Sequence, residues 1–128
     1  MARVLSISYD PTLTKTRAFA LHSAGHNARS VATLRDALRE CTTGEDDILL
    51  LGNQIPKREK LDIIECFRRY NPKGRVVAYI RSGEHRLTQV DCYVYPGNPD
   101  ELTRAIAELL APRPKPRAKR RAAKARTK

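Results

Sequence analysis

The stretch Asp46-Asp47-Ile48-Leu49-Leu50-Leu51-Gly52-Asn53-Gln54-Ile55-Pro56 restricts what this chain can fold into more than any other. Four aliphatic residues in succession, with no polar alternation, describe a strand covered on both faces. That is the pattern of a central strand in a parallel sheet rather than of a half-wet antiparallel one. Ligands of such sheets bind outside the carboxyl ends of the strands. A functional loop is therefore expected to leave the sheet between Gly52 and Pro56.

The flanking segments repeat the same alternation. Arg3 to Tyr9 is short and β-prone, and Asp10-Pro11 follows at once as an N-cap acid and a first-turn proline. A helix is expected from Pro11 to Ala24, with Leu13, Ala20, Leu21 and Ala24 inward and Gly25 as its left-handed stop. His26 to Val31 reads as a weak strand. In Thr33 to Cys41, Thr33 and Asp36 form a capping-box-like pair, and Leu34, Ala37, Leu38 and Cys41 fall at helical spacing. Beyond the central strand, Lys57 to Tyr70 predicts a helix led by Leu61, Ile64 and Phe67, which Asn71-Pro72-Lys73-Gly74 ends. Val76 to Ile80 and Cys92 to Tyr95 are the remaining strands, separated by a polar segment, Arg81 to Asp91, with too little periodicity for a full helix. Asn98-Pro99-Asp100-Glu101 starts a last helix with Leu102, Ile106, Leu109 and Leu110 on one side. Strands alternating with helices give an α/β layer structure with a parallel sheet and right-handed crossovers.

Charge divides the chain in two. Of 25 basic residues, nine lie in the segment from Pro112 to Lys128, which holds no acid; sixteen remain against fourteen acids, a net of +2 within the total of +11. The body, residues 1–111, thus reads as one nearly neutral domain. The segment 112–128 reads as a tail, without an aliphatic residue larger than alanine, and is expected to be disordered in isolation. Its cations, Arg113, Lys115, Arg117, Lys119, Arg120, Arg121, Lys124, Arg126 and Lys128, suit a polyanion. No base-reading element accompanies them, so non-specific nucleic-acid binding is the expectation, with an acidic protein or anionic lipid as other takers. Cys41, Cys66 and Cys92 are odd in number and widely separated, which suggests neither a disulfide framework nor a metal knuckle and fits a reducing cytoplasm. No segment reads as an export signal or a membrane span.

The central run resembles the third strand of the receiver domain of bacterial two-component response regulators, where Asp-Leu-Val-Leu-Leu-Asp-hydrophobic-x-hydrophobic-Pro ends in the phosphoacceptor aspartate. Asp10-Pro11, the spacing from Gly25 to Ala37-Leu38, and Tyr93-Val94-Tyr95-Pro96 followed by Pro99-Asp100-Glu101-Leu102 are similar to further receiver marks, over residues 3 to 110. The resemblance implies a doubly wound, flavodoxin-like α/β fold, a five-stranded parallel sheet in order 2-1-3-4-5, with a shortened or missing fourth helix. It also implies a signalling protein as partner. Carried over by position, the acidic pair that holds Mg²⁺ in receivers falls on Ser8 and Tyr9, with Asp10 beside them. The phosphoacceptor falls on Gly52, the hydroxyl residue on Ile80 or Arg81 with Ser82 late, and the lysine before the proline of the pattern on Tyr95. Mg²⁺ needs oxygen ligands such as carboxylates, and phosphoryl transfer runs on positioning and charge neutralisation, so a receiver without phosphorelay chemistry is implied.

Other candidates reduce to ordinary roles. His22 and His26 stand four apart, a ligand spacing on one helix, but Gly25 is expected to end that helix between them. His85 falls in the irregular segment, and Ser6, Ser8 and Ser23 lack the nucleophile elbow. The glycines form no phosphate loop. Neither an enzyme constellation nor a cofactor is expected. What remains at the carboxyl edge is a degenerate pocket rim, Ser8, Tyr9, Asp10, Asn53, Gln54, Arg81, Ser82 and Tyr95 around Gly52, either bland or a recognition surface for a protein or small ligand.

Overall fold

The computed structural model describes residues 2–111. The basic segment 112–128, with its nine candidate phosphate contacts, lies outside the described residues. In chain order the elements are β1 (Arg3–Ile7), α1 (Pro11–Ser23), β2 (Asn27–Val31), α2 (Leu34–Cys41), β3 (Ile48–Leu51), α3 (Lys57–Tyr70), β4 (Arg75–Tyr79), β5 (Cys92–Val94) and α4 (Pro99–Leu110). The strands form one parallel sheet in the expected order β2-β1-β3-β4-β5, with β2 and β5 at its margins.

The two-sided burial expected of the central strand is what builds the layers. Leu49 and Leu51 join one core with Leu5, Ile7, Val76 and Ala78, covered by Ala37 and Cys41 of α2 and Ile63, Ile64 and Phe67 of α3. Ile48 and Leu50 point the other way, with Val4, Val77 and Val94, under Leu21 of α1 and Leu102, Ala105 and Ile106 of α4. All four β3 side chains are fully buried. At about 1.5–3 kcal/mol per buried aliphatic side chain, this strand alone anchors both layers.

Caps and polar staples fix where the helices sit. The Asp10 carboxylate accepts from the Thr12 and Leu13 amides, Thr33 Oγ1 from the Asp36 amide, and Asn98 Oδ1 from the Asp100 amide. Gly25, at φ 89°, stops the chain after α1 as its sequence position predicted. Asn71, buried at the end of α3, accepts from the Asp46 amide and donates to the Cys41 and Phe67 carbonyls. It thereby ties both helices of that layer to the entrance of β3. On the β2 margin Arg29 pairs with Glu40 and with Asp46. Burial raises the Asp46 carboxyl above its ordinary range, and Arg29 opposes that shift.

Between β4 and β5 there is no helix. The segment is pinned by side chains instead: Asp91 Oδ2 accepts from the Val76 amide at 2.7 Å and from Arg68 Nη2 at 3.1 Å, and Arg68 also donates to the Gln89 carbonyl. The Leu87 amide donates to the Tyr93 hydroxyl at 2.6 Å. Several inner faces differ from expectation. Ala24 is an exposed C-cap beyond the end of α1, and Arg17, not an apolar residue, is buried beside Leu21. Ile63 is buried where Leu61 was expected to lead α3, and Leu110 is exposed at the end of α4. The strands ending at Tyr9 and Tyr95 in the sequence reading stop at Ile7 and Val94, because Ser8 and Pro96 begin the turns that lead into the helices.

His26 follows α1 half-buried, and its Nδ1 accepts a hydrogen bond from the Ala2 amide at 3.0 Å, which requires the unprotonated nitrogen. Burial lowers its pKa below the ordinary 6.5. Since the folded state binds the proton less well than the unfolded chain, this residue stabilises the fold above about pH 6.5 and ceases to do so as pH falls below it. Urea midpoints at pH 7.5 and 5.5 are expected to differ more in the natural chain than in His26→Gln. Equal differences would remove His26 from the pH response.

Candidate functional site

Register decides which residues meet at the carboxyl edge. Ile7, Leu51 and Ala78 are partners across β1, β3 and β4, so the next residues, Ser8, Gly52 and Tyr79, stand side by side. The ladder continues one step past the strands: Ser8 N–H donates to the Val31 carbonyl and Gly52 N–H to the Ile7 carbonyl at 2.9 Å. Side chains alternate along a strand, so Ser6, Ser8 and Gly52 share the face of Val4, Ile48 and Leu50, beneath α1 and α4.

Gly52 is present for room, since its φ is not in the left-handed region. A Cβ placed there would stand 3.1 Å from Arg17 Nη1, 3.3 Å from the Ile7 carbonyl oxygen and 3.4 Å from Ser8 Oγ. The space beside the tip of β3 is thus bordered by a guanidinium. Arg17 is only 5% exposed, and its guanidinium carbon lies 3.9 Å from the centroid of the Tyr79 ring. Nη1 is buried with no hydrogen-bond partner, and none of the ion pairs among the described residues includes Arg17. Burial lowers its pKa, with Tyr79 and Asp10 opposing, and burial raises that of Tyr79 against the pull of Arg17. An arginine stays charged through such shifts, so a cation borders the crevice. Beside Leu13 and Ala20, Arg17 forms part of a cavity of about 170 Å³ that Tyr79, Pro96 and Leu102 also line.

The rim residues inferred from sequence divide into three groups. Ser8 is buried, and its Oγ accepts from the Asp10 amide at 3.2 Å. Asp10 gives its Oδ1 to the cap of α1, and the Tyr9 hydroxyl donates to Glu59 Oε1 on α3 at 2.6 Å. Burial and Glu59 both raise the Tyr9 pKa, so it stays a neutral phenol. Asn53 and Gln54 line a second cavity of about 460 Å³ with a mixed lining, Lys57, Lys60, Glu84 and His85 on the polar side and Ile55, Ile80 and Leu87 on the apolar side. Arg81, Ser82 and Tyr95 are exposed, Tyr95 by 47%, and line neither cavity. The edge therefore brings Ser8 and Gly52 together, turns the Tyr9 hydroxyl to Glu59 and leaves Arg81 and Tyr95 exposed.

Divalent-metal binding does not fit these groups. Ser8, Tyr9 and Gly52 offer no carboxylate, Asp10 is a single carboxylate with one oxygen given to the α1 cap, and the nearby cation opposes a second one. Among the described residues no group of three His, Cys, Asp or Glu is placed to hold a metal ion.

Arg17, Tyr79 and the 75% exposed Phe19 of α1 were not among the residues the sequence singled out. Leu13, Arg17, Ala20 and Leu21 share one helical stripe, and a lone cation inside it was the available signal.

No family model matches the sequence, and no curated protein matches it. Solved structures do. A response regulator receiver domain protein from Clostridium thermocellum superimposes with a TM-score of 0.74 at 19% identity, over 86% of this chain and 94% of that one. Response regulator TrrA from Thermotoga maritima, in complex with Mg²⁺-BeF, gives 0.74 at 21%, over 86% and 100%. The complex of histidine kinase ThkA with TrrA gives 0.72 at 21%, over 87% and 100%. At these identities the likeness is one of fold, and the chain has the fold of receiver domains.

Replacing Arg17 with Met removes a buried unpartnered charge while nearly keeping its volume. Stability is expected to rise by about 1–2 kcal/mol, as exchanges of buried charge for apolar groups often give, read as a higher urea midpoint with unchanged slope. A lower midpoint would mean that stacking on Tyr79 outweighs the burial of the charge.

Proposed function

We propose that this chain is a phosphorylation-independent receiver-like module of two-component-type signalling, working by protein contact, with a basic C-terminal arm that holds it to nucleic acid without sequence preference. One observation carries the reading. The five-stranded sheet of the receiver fold is kept around the central crevice, without a helix between β4 and β5, yet the tip of β3 ends in Gly52 beside the Arg17 cation instead of in a carboxylate. A phosphoacceptor needs an oxygen nucleophile and a divalent ion to neutralise the transferred group. Here Gly52 supplies neither, and the rim groups are committed to the α1 cap and to α3.

The partner is inferred to be a signalling protein. TrrA, of the same fold, is found in complex with a histidine kinase, and this chain exposes an aromatic, Phe19, on α1 at a shallow groove with Thr16, Ala20 and Thr103. The arm rests on charge alone: nine cations without an acid. A second reading, a nucleoid-type or RNA-associated protein in which the arm is the working part, is favoured by that same charge asymmetry.

Two experiments test these statements. Acetyl phosphate or beryllofluoride with Mg²⁺ is expected to leave the mass and the amide spectrum unchanged. The same is expected of Gly52→Asp, whose carboxylate would pair with Arg17 instead of a metal. A stoichiometric adduct on the natural chain would end the proposal. Duplex DNA binding is expected to weaken with salt at a log-log slope of roughly −5 to −8, for about six to nine phosphates neutralised, and to vanish on removal of residues 112–128. A partner still captured by the shortened chain favours the signalling module, and loss of every interaction favours the second reading.

A further inference from the structure

The three cysteines stand apart from the crevice, and all are free thiols. Two of them meet across the seam between α2 and α3. Cys41, the last residue of α2, donates its thiol to the Ile63 carbonyl of α3 at 3.8 Å, and Cys66 of α3 donates back to the Leu38 carbonyl of α2 at 3.6 Å. Both helices follow strands of one parallel sheet and so run the same way. Cys41 follows Leu38 by the same three residues as Cys66 follows Ile63, so the reciprocal contacts set the two cysteines at one height on the seam. We propose that Cys41 and Cys66 are an oxidation-sensitive thiol pair, which a hydroperoxide closes to an intramolecular disulfide between α2 and α3 while Cys92 stays a thiol. The proposal goes beyond the signalling reading and does not depend on it.

Three features single out this pair. Proximity is the first. Cys66 packs against the same buried cluster that holds Cys41, and it is close enough to add to the upward shift of the Cys41 thiol, which burial pushes up to about 12. A cysteine side chain is only Cβ and Sγ long, so thiols that reach carbonyls of the facing helix belong to backbones near the separation of roughly 4.4–6.8 Å between Cα atoms that a disulfide needs. Access is the second: Cys41 is fully buried and Cys66 partly exposed, so an oxidant meets Cys66 first. The third is isolation, because Cys92 packs in the other layer, under α4, with its thiol toward the Tyr93 carbonyl.

The chemistry balances with hydrogen peroxide as oxidant. At Cys66 an S–O bond forms as the O–O bond breaks, giving a sulfenic acid and one water. The Cys41 sulfur then attacks the Cys66 sulfur: S–S forms, S–O breaks, and the departing hydroxide leaves as water with the Cys41 proton. A thiol of raised pKa has little thiolate, and its fixed position beside the sulfenic acid compensates. The closed bond encircles β3 and the Gly52–Pro56 loop, and staples the helices next to Asn71, which donates to the Cys41 carbonyl.

The test is peroxide treatment of the full folded chain, followed by alkylation, digestion and mass spectrometry. One linked Cys41–Cys66 peptide is expected, reversed by dithiothreitol, with Cys92 alkylated and with slower amide exchange in α2 and α3. The folded chain is expected to favour this pairing over others by about tenfold or more, a preference that comes from held proximity and is lost in urea. Cys92→Ala should keep the link and Cys66→Ala should lose it, leaving Cys41 reduced. Cysteines that all stay reduced overturn the proposal, as do a sulfinic acid at Cys66 with Cys41 untouched, a link to Cys92 or a link between chains. A preference that persists unchanged in urea overturns it equally.

Discussion

Everything in this domain is hung on a strand that must be dry on both sides. Ile48 and Leu50 go to the layer of α1 and α4, and Leu49 and Leu51 to the layer of α2 and α3. A strand of that kind cannot stand at a margin or face water, so it recruits a neighbour on each edge and a helix pair on each face. The end of the same strand then defines the crevice. Position and function are coupled because the residue after Leu51 necessarily emerges between Ser8 and Tyr79.

Much of the architecture was legible from local chemistry. Asp10-Pro11, Thr33 with Asp36, Gly25 and Asn98-Pro99 place caps, turns and stops by hydrogen bonding and backbone freedom that act over a few residues, and each is found where it was read. The apolar run of β3 and the thin periodicity of Arg81–Asp91 were informative for the same reason. Details of inward faces were less so. Ala24 and Leu110 belong to helical stripes by spacing, but they stand at helix ends and are exposed there. Spacing carries no information about how far a neighbouring surface extends.

The site was legible as a location and only partly as an arrangement. Gly52, Ser8 and Asp10 fall at the crevice because strand register puts them there. What Tyr9 does depends on Glu59, fifty residues away on α3, and what borders Gly52 depends on a side chain from α1. Long-range partners of this sort leave little trace in one sequence. Arg17 also weakens the very signal that would betray it: a cation on the inner stripe and Phe19 on the outer surface leave α1 with scarcely an apolar side to detect.

The margins of the sheet have a consequence of another kind. At one side lies β2, Asn27-Ala28-Arg29-Ser30-Val31, whose arginine is clamped between two acids; at the other lies β5, three residues long and followed at once by a turn. Free strand edges invite pairing with foreign chains, and short or charged ones discourage it. The apolar β3 run thus lies two strands in from either margin, and each margin is short or carries a paired charge, so the stretch best suited to stacking with other chains is the one least offered to them.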